Sequence, residues 1–411
     1  MNRKHKKVLV AMSGGVDSSV AAYLLKQEGF EVAGATIRTW ASGDCAEKNT
    51  KSCCGVIGVE DARSVAWKLE IPHYVFNFER EFKTHVVDYF SDEYLKGRTP
   101  NPCVACNQHI KFSLFLKRAR ALGYDAIATG HYARLGFDES AKRYFIREGK
   151  DHAKDQSYVL FPLPQELLAD LYLPVGDYSK PEVRETAREL NLTVAEKPDS
   201  QEICFIPSND YGTFLKRERK LEDQPGPIRD RHGNILGEHR GYFNYTVGQR
   251  KGLKIPFKHA LYVTEILPSE NTVVVGTKKE VANQLCRVEN INWFSALNGT
   301  KSLRVQAKIR SRHAKAWAEL ERISENEARL TFDEPQEAIT PGQGCVFYDG
   351  DRVLGGGWIA SVPSLRSSVP LSFPNALIGN PKSGSPVKTF GDDTSCQIAS
   401  APPQNIGGSS Q

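Results

Sequence analysis

Long apolar stretches are missing from this 411-residue sequence. Apolar runs such as residues 21–25 are far shorter than the roughly 20 residues that a membrane-spanning helix needs. The basic start, residues 1–7, precedes a strand-like run and glycines, whereas a secretory signal requires a longer apolar segment and a cleavage site of small residues. The sequence therefore predicts a cytoplasmic protein with no membrane association.

Strong charge of either sign is also missing. Lysine and arginine together number 54, aspartate and glutamate 49, and the formal net charge is +5. Such a mild excess permits a polyanionic partner without requiring one, so any surface for nucleic acid must be a local basic patch. The chain length predicts two or three domains of roughly 100–200 residues each.

Nine cysteines are present, an odd number in a long chain. This argues against a secreted domain held together by disulfides, and clustered thiols in a reducing compartment more often serve metal binding, redox chemistry or sulfur transfer. Cys45, Cys53 and Cys54 fall close together and fit either a plain loop or a secondary metal site. The cysteines outside any motif, assigned to packing or to the tail, are Cys286, Cys345 and Cys396.

Strand-like and helix-like segments alternate in the first half of the sequence. Strands are predicted at 7–12, 31–37, 73–78 and 125–129. Helical spacing begins at residue 16 and recurs at 59–69, 81–95 and 109–122. This alternation predicts an α/β fold, with a parallel sheet and crossover helices on both faces.

The sequence changes character after about residue 210. Turn-rich stretches at 223–226 and 232–237 precede short β-like runs, which predict small barrels or sandwiches. The runs are 260–266, 272–275, 303–309, 316–320, 328–332, 344–348 and 352–354. We predict a catalytic α/β domain over 1–210, a small linker domain over 211–285, a C-terminal β-barrel over 286–363 and a disordered Ser-, Pro- and Gly-rich tail over 364–411.

The strongest motif is the loop Ser13-Gly14-Gly15-Val16-Asp17-Ser18-Ser19, between a predicted strand and a predicted helix. Here backbone N–H groups and the helix dipole favour an anion, and the glycines let the backbone approach phosphate oxygens closely. A carboxylate at Asp17 would repel a phosphate directly, which predicts Mg²⁺ between the two. No lysine follows the last glycine, so this is not a Walker loop. The alternative is a strand-to-helix turn without a ligand.

Two cysteines lie three residues apart in the stretch Pro100-Asn101-Pro102-Cys103-Val104-Ala105-Cys106. The prolines before them and the helical pattern after them predict a rigid loop that leads into a helix start, where the helix dipole favours a thiolate. Taken alone, the pair fits zinc, an iron–sulfur cluster or a redox couple equally well. Cys204 alone would be assigned to the core, because isolated cysteines are often buried.

The glycine loop resembles the PP-loop of the ATP-pyrophosphatase superfamily, and the further motifs resemble one family within it, the tRNA-specific 2-thiouridylases. The resemblance covers residues 7 to about 359, with the motifs in matching order and spacing. The matching segments are 11–19, 97–102, 106–112, 128–134, 154–158, 197–206, 245–252 and 341–343. It implies a PP-loop (adenine nucleotide α-hydrolase-like) parallel sheet, a small central domain and a C-terminal β-barrel.

The resemblance implies an ATP-dependent tRNA-uridine 2-sulfurtransferase. The C2 oxygen of the wobble uridine (position 34) would be adenylated, and a persulfide on Cys204 would then displace AMP. Cys106 would free the sulfur or form a disulfide with Cys204, and the sulfur would come from a donor such as a cysteine desulfurase or a relay protein. The residues implied to bind ATP with Mg²⁺ are Ala11, Met12, Ser13, Gly14, Gly15, Val16, Asp17, Ser18, Ile37 and Gly130, with Asp17 also implied in catalysis.

Contacts to tRNA are implied as well. The residues at matching positions are His131, Lys154, Asp155, Gln156, Arg310, Ser311 and Gln343. A basic run in the predicted barrel would by itself be interpreted as a solvated strand face. With a polyanionic substrate, phosphate contacts become the better interpretation of this run. It consists of Lys308, Arg310, Arg312, His313 and Lys315.

Two positions depart from the family pattern. Ile37 stands where methionine is common, a change that a backbone contact to adenine tolerates. Many members have aspartate where this sequence has Cys103. Three thiols, Cys103, Cys106 and Cys204, could then bind three irons of a [4Fe–4S] cluster and leave the fourth iron open to the transferred sulfur. A cluster-dependent version of the same thiolation is therefore a second hypothesis.

Two other functions compete with thiolation. Another ATP-pyrophosphatase acting on tRNA or on a small molecule, such as tRNA lysidine synthetase or an amidotransferase-type synthetase, shares the loop but has no need of Cys106 and Cys204. A non-catalytic RNA-binding module would act through the barrel and would not need an intact 13–19 loop.

Overall fold

The computed structural model describes five ranges of the chain. These are residues 7–39, 56–198, 203–206, 210–295 and 300–362. None of the helices in these ranges combines the length and the apolar character that crossing a bilayer requires. The predictions that lie outside the described residues concern Cys45, Cys53, Cys54, Cys396 and the tail 364–411.

Helices occupy much of the first 220 residues. The α-helices are α1 (Val16–Gln27), α2 (Val56–Lys68), α3 (Glu79–Phe82), α4 (Tyr89–Leu95), α5 (Pro102–Ala105), α6 (Phe115–Ala121), α7 (Gln165–Ala169), α8 (Lys180–Glu189) and α9 (Tyr211–Arg219). Two π-helical segments, Lys83–Asp88 and Cys106–Leu114, join α3 to α4 and α5 to α6. Short 3₁₀ turns lie at Ser157–Leu160, Pro174–Asp177, Tyr242–Asn244 and Pro268–Glu270.

Strands fall into three sheets. Those of the first half are β1 (Lys7–Ala11), β2 (Glu31–Arg38), β3 (His73–Asn77), β4 (Ala126–Ala128), β5 (Ala133–Asp138), β6 (Arg143–Glu148) and β7 (Leu171–Tyr172). Those of the second half are β8 (Gly226–Arg229), β9 (Ile235–His239), β10 (Tyr262–Leu267), β11 (Thr272–Gly276), β12 (Ala282–Trp293), β13 (Ser302–Lys308), β14 (Ala316–Arg322), β15 (Glu327–Glu337), β16 (Gly344–Asp349) and β17 (Arg352–Ser361).

The first sheet is parallel and has the strand order β3-β2-β1-β4-β7. The chain winds outward from β1 to β3 and then returns to place β4 on the other side of β1. The order therefore reverses between β1 and β4, and in open α/β sheets ligands bind at such a switch point, outside the carboxyl ends of the strands. The four strands predicted for the first half are confirmed as β1 to β4.

Successive residues of the central strand point to opposite faces of the sheet, and each face has its own core. Val8 and Val10 belong to one hydrophobic cluster, which includes residues of α1 and α8. Leu9 belongs to the other, with the aromatic residues of the helices between 79 and 121. Because side chains alternate along a strand, a buried parallel strand must be apolar on both faces.

The second half contains a small sheet and a barrel. The small sheet has the order β10-β11-β8-β9 and its own core around Ile228, Val263 and Val273. The barrel strands follow the order β12-β15-β14-β13-β16-β17, and β12 also pairs with β17, so six strands close on themselves. Cys286 and Cys345 lie in the barrel core, as their assignment to packing predicted.

Among the elements that the sequence pattern missed, with α8 and α9, is the β5–β6 hairpin. It arises from the first half of the chain but pairs through β6 with β17 of the barrel, at Arg147 and Arg352. Its strands are only partly buried, so their hydrophobic pattern is weak. The hairpin makes one continuous eight-stranded sheet from two parts of the sequence.

Candidate active site

The glycine loop occupies the carboxyl end of β1, at the switch point of the sheet. Gly14 has a φ of +69°, which favours glycine, and a Cβ at this position would lie 2.3 Å from the carbonyl oxygen of Gly58. Both the backbone conformation and the contact with α2 therefore require glycine. Gly15 is the N-cap of α1 and provides no side-chain cap, which leaves the first N–H groups of the helix for another partner.

Hydroxyl groups fix the shape of this loop. The Oγ atoms of Ser18 and Ser19 both donate to the Gly15 carbonyl oxygen, at 3.2 and 2.9 Å. Ser18 Oγ also accepts from the Ser13 N–H at 3.2 Å. Hydrogen bonds within the protein thus define the shape of the loop, and the positive end of the helix dipole lies behind it. An anion such as a phosphate is the partner that this arrangement favours.

The end of β4 closes the other side of the switch point. A Cβ on Gly130 would lie 2.6 Å from the Ser18 amide nitrogen and 2.7 Å from the Asp17 carbonyl carbon. Only glycine lets this turn approach the start of α1 so closely. Ile37, half-buried near the end of β2, lies at the same edge of the sheet. The structure therefore brings the predicted ATP-binding residues of 11–18, Ile37 and Gly130 to one edge.

Asp17 is paired with a lysine that the sequence analysis did not identify. Its carboxylate oxygens lie 2.7 and 2.8 Å from Lys180 Nζ, and one of them accepts from the Tyr132 hydroxyl at 2.7 Å. The structure thus places a cation of the protein where the sequence predicts Mg²⁺. A capping box, Ser179 with Glu182, starts α8 at Lys180 and was the available sequence signal.

A second lysine reaches the loop from the segment after α8. Lys197 Nζ donates to the Gly14 carbonyl oxygen at 2.9 Å and to Asp61 at 2.6 Å. Lys197 begins one of the matching motifs, but the motif alone assigned it no role. Two ammonium groups therefore face the loop that is expected to hold phosphates.

The cysteine pair lies where the sequence predicts it, in a rigid loop that leads into a helix start. Asn101 caps α5, since its side-chain oxygen accepts from the backbone N–H groups of Cys103 and Val104 at 3.1 and 3.3 Å. Cys103 is exposed, whereas Cys106 is 8% exposed and starts the π-helical segment. The two neighbouring thiols therefore occupy different environments.

Cys204 is exposed, so its assignment to the core, made for an isolated cysteine, is wrong. The next residues explain its position. Phe205 and Ile206 are each 2% exposed and belong to the same hydrophobic cluster as Cys106. The Phe205 ring packs at 5.6 Å from those of Phe82 and Phe90. This apolar anchor holds the Cys204 backbone against the body that carries Cys106 and leaves the thiol at the surface.

A metal centre formed by the three thiols does not fit this conformation. Across the described ranges, no three His, Cys, Asp or Glu side chains lie together in a way that could hold a metal ion. Cys103, Cys106 and Cys204 are therefore not gathered as ligands of a cluster here.

Four residues at the implied tRNA-contacting positions form hydrogen bonds within the protein. The Asp155 side chain is 3% exposed, and its carboxylate accepts from the Gly149 and Ser157 N–H groups. Gln156 accepts from the Tyr132 N–H at 2.8 Å. The others are Gln343, whose amide donates to the Thr99 carbonyl oxygen at 2.9 Å, and the buried His131.

His131 lies directly after Gly130 and is enclosed. Its Nδ1 is 2.8 Å from the Thr129 hydroxyl. Burial, with the nearby positive charge of Lys111, lowers the pKa of His131 to about 3. The imidazole is therefore neutral at physiological pH, and in this conformation it supports the turn beside the glycine loop instead of facing a phosphate as a cation.

The remaining implied contact residues are more accessible. Lys154 is half-buried in the turn before Asp155, and Ser311 is exposed in the β13–β14 turn. Arg310 is half-buried, and its guanidinium donates to the Glu337 carbonyl oxygen at 2.7 Å.

The predicted phosphate contacts of the basic run need correction at two positions. Lys308 Nζ lies 3.6 Å from Asp155, with its side chain 12% exposed, and Lys315 Nζ lies 2.9 Å from the buried Glu148. These lysines neutralise carboxylates of the first half of the chain, so they are not available to phosphates. Arg312, by contrast, is exposed.

Comparison with known proteins gives three consecutive matches along the chain. A family model described as "tRNA methyl transferase HUP domain" matches residues 6–208. One described as "tRNA methyl transferase PRC-barrel domain" matches 212–277. One described as "Aminomethyltransferase beta-barrel domain" matches 283–359.

Curated relatives match over most of the chain. The tRNA-specific 2-thiouridylase MnmA of Clostridioides difficile is 49% identical over 355 residues, covering 86% of this chain and 98% of the relative. The protein of the same name from Caldicellulosiruptor saccharolyticus is 50% identical over 356 residues, covering 86% and 98%. A solved 4-thiouridine synthetase–RNA complex with bound ATP is 17% identical with a TM-score of 0.33, covering 52% of this chain and 50% of that one. By its similarity to the two MnmA proteins, the chain belongs to the tRNA-specific 2-thiouridylase family.

Proposed function

We propose that this protein uses ATP to activate the C2 oxygen of the wobble uridine of tRNA and then replaces that oxygen with sulfur. The observation that carries the proposal is the pairing of a preformed anion-binding loop with two cysteines held on one hydrophobic body. The loop accounts for activation, and the thiols at Cys106 and Cys204 account for the displacement. Membership of the family supports the choice of tRNA as the acceptor.

The first step is adenylation. The loop 11–18 would hold the phosphates of ATP against the start of α1, with the adenine near Ile37 and Gly130. The uridine oxygen attacks the α-phosphorus, and pyrophosphate leaves with the electrons of the broken P–O bond. Mg²⁺ bound with ATP would neutralise phosphate charge, and Asp17 could hold it only by exchanging the Lys180 ammonium that its carboxylate oxygens contact. Lys180 and Lys197 offset the carboxylates of Asp17 and Asp61, so phosphates would not meet unscreened negative charge at the loop.

The second step transfers sulfur. A persulfide on Cys204 attacks the activated C2 carbon through its terminal sulfur, and AMP leaves with the oxygen. The Cys106 thiolate then attacks the inner sulfur of Cys204, so that a Cys106–Cys204 disulfide forms and the terminal sulfur remains on the uridine. A thiol reductant returns both cysteines to thiols, which places the reaction in a reducing compartment such as the cytoplasm. The persulfide would come from a cysteine desulfurase or a relay protein.

We assign the domains according to the chemical steps and the tRNA binding that each would perform. Residues 1–210 would carry both chemical steps, and the small domain over 211–285 and the barrel over 286–363 would hold the tRNA. A methyl transfer, which the descriptions of the matching family models suggest, would need no ATP-cleaving loop and no cysteine pair. Thiolation uses both features.

A single-turnover assay with tRNA transcript, ATP and a persulfide donor tests the proposal. Wild-type protein is expected to release pyrophosphate only when tRNA is present and to form 2-thiouridine. Cys204→Ser and Cys106→Ser should retain tRNA-dependent pyrophosphate release and lose 2-thiouridine, because they act after adenylation. Asp17→Asn should lose both. Thiolation by Cys204→Ser would disprove the assigned sulfur carrier.

The matched variant Cys103→Ser and metal analysis distinguish the cluster-dependent hypothesis from the persulfide route. The persulfide route predicts near-normal thiolation by Cys103→Ser and active protein without iron. Anaerobically purified protein that contains iron and sulfide, and loses both iron and thiolation on Cys103→Ser, would instead establish a [4Fe–4S] centre.

A further inference from the structure

A cavity of about 420 Å³ lies between the first half of the chain and the barrel. Its walls come from both π-helical segments, from α4 and α5, and from β12 and β17. Small-molecule and cofactor pockets measure roughly 300–1,000 Å³, so this cavity is large enough for a flat heterocycle. The residues that carry the argument are His85, Tyr89, Arg98, Gln108, His109 and Trp358.

The two π-helical segments meet at this cavity. His85 of one and His109 of the other stack with ring centroids 5.0 Å apart and planes inclined by 20°. Tyr89 and Trp358 also line the cavity, with ring centroids 6.3 Å apart. π-Helical turns are rare and frequently occur at functional sites. Here they present planar side chains, on which an unstacked base can be placed.

Four side chains of the cavity form no hydrogen bond with the other described residues. No hydrogen bond of the described protein reaches the Tyr89 hydroxyl, the Gln108 side-chain amide or the ring nitrogens of His85 and His109. Burial raises the pKa of Tyr89 above its usual range, and burial together with His85 lowers the pKa of His109. Both groups are therefore neutral and can each donate and accept. Such pairs of donors and acceptors suit the edge of a nucleobase.

The charges of the cavity disfavour a phosphate. The guanidinium of Arg98 lies 2.7 Å from Glu93 and 3.5 Å from Glu289, so two carboxylates offset its positive charge. A phosphate or another anion would meet these carboxylates. An uncharged ring with polar edges would not.

The cavity also shares its elements with the thiols. Ala105 of the wall lies in the one-turn helix that exposes Cys103, and Cys106 starts the segment that carries Gln108 and His109. Gln343 of the barrel holds the chain at Thr99, just before this helix. A base bound in the cavity would therefore contact the same helical stretch that presents the sulfur chemistry.

We propose that this cavity receives an unpaired base of the substrate RNA, one other than the uridine that is thiolated. The inference rests on the proposed function, since it assumes an RNA substrate. It explains how the enzyme could distinguish its tRNAs from others with a uridine at the wobble position. Stacking supplies affinity, and the unpaired polar groups supply discrimination, because a base that leaves them unsatisfied is disfavoured.

The proposal is tested by asking whether changes in the cavity and changes at single nucleotides of the anticodon loop affect RNA binding independently. Binding of a tRNA anticodon stem-loop is measured for wild-type protein and for the double variant Tyr89→Phe/Gln108→Ala, with an abasic nucleotide placed at each loop position in turn. Neither substitution removes a hydrogen bond within the described protein, so unchanged thermal unfolding is expected. The matched control is Gln27→Ala, an exposed glutamine at the end of α1.

The double variant is expected to bind the intact stem-loop roughly 5- to 100-fold more weakly, because it loses two hydrogen bonds to the base while the stacking rings remain. At one position the abasic nucleotide should weaken binding to the wild-type protein by a larger factor than it weakens binding to the variant, because only the wild type loses hydrogen bonds as well as stacking; such non-additivity indicates a direct interaction. The proposal would be overturned if the double variant bound the stem-loop as tightly as the wild type. It would also be overturned if the fold-losses from the variant and from the abasic nucleotide multiplied at every loop position. If wild-type protein neither binds nor thiolates the RNA, the proposed function itself fails, and the two failures are thus distinguishable.

Discussion

Lys180 and Asp17 form an ion pair at the start of α1, with Nζ 2.7 Å from the nearer carboxylate oxygen. The lysine side chain is 9% exposed and the aspartate 31%. The pair resolves an apparent conflict in the sequence, where a carboxylate stands in a loop expected to bind phosphates. Lys180 compensates the negative charge of Asp17, so an anion can approach the loop without meeting an unscreened carboxylate.

Lys180→Met should therefore affect both stability and ATP use. Removing one partner of a buried pair costs about 3–5 kcal/mol, and the partial exposure of Asp17 reduces the expected loss to about 1–3 kcal/mol. The KM for ATP in tRNA-dependent pyrophosphate release should rise. Chemical denaturation and steady-state kinetics measure the two effects.

A double variant separates the two roles of the pair. Asp17→Asn/Lys180→Met removes both charges and is expected to recover much of the stability but none of the activity. Lys180→Arg, which keeps the charge, should stay close to the wild type in stability. Equal stability of Lys180→Met and wild-type protein would show that the pair does not form in solution.

Gly130→Ala should impair ATP binding through a clash. The added methyl group would lie 2.6 Å from the Ser18 nitrogen, so the turn must move away from α1. Overpacking of this kind costs about 1–3 kcal/mol. We expect the KM for ATP to rise about 10-fold, which is about 1.4 kcal/mol.

Gly29→Ala is the matched control for that substitution. Gly29 has a φ of +85°, and nothing lies within 4 Å of an added Cβ. Its replacement should cost about 1–2 kcal/mol of stability from backbone strain alone and leave the KM for ATP unchanged. An equal rise in KM for both variants would mean that the clash at Gly130 is not the cause.

His131 makes stability depend on pH. Its pKa is lowered to about 3 in the folded protein, from a usual value of 6.5, so the unfolded chain binds a proton that the folded protein does not. The stabilisation is complete above pH 6.5 and is lost as the pH falls towards 3. Between pH 7.5 and 5 the loss from this residue should be about 2 kcal/mol.

Unfolding by denaturant at the two pH values checks this expectation. His131→Gln should lose less stability than the wild type between pH 7.5 and 5, by about 2 kcal/mol. The control is His152→Gln, since the His152 side chain is 76% exposed. Identical pH dependence of His131→Gln and the wild type would contradict burial of a neutral imidazole.

The sequence predicted the elements of the site better than its contacts. Strand–helix alternation and the glycine loop are local patterns, so the first sheet and the loop at its switch point followed from them. The role of Lys180 depends on contact with a residue 163 positions earlier, and no local pattern encodes it. The strands β5 and β6 were missed because their half-buried residues give a weak hydrophobic pattern, and their pairing with β17 was missed because β17 lies about 200 residues further along the chain.

Basic residues that look alike in the barrel sequence differ in the folded protein, because some form ion pairs and others are exposed. Lys308 is enclosed against Asp155, which is 3% exposed, while Arg312 lies exposed in the same stretch. The ion pair joins the barrel to the loop that follows β6. Lys308→Met leaves a buried carboxylate without its cation, so it should lower the free energy of unfolding by about 2–4 kcal/mol.

Binding of tRNA at several salt concentrations distinguishes the two residues. Each phosphate contact contributes about 0.9 to the slope of log K against log salt for duplex nucleic acid and about 0.7 for single strands. Arg312→Ala should reduce the slope by about one unit at unchanged stability. Lys308→Met should leave the slope unchanged, because its charge is already used within the protein. A reduced slope for Lys308→Met would mean that tRNA breaks the Asp155 pair when it binds, and the barrel would then have to move relative to that loop.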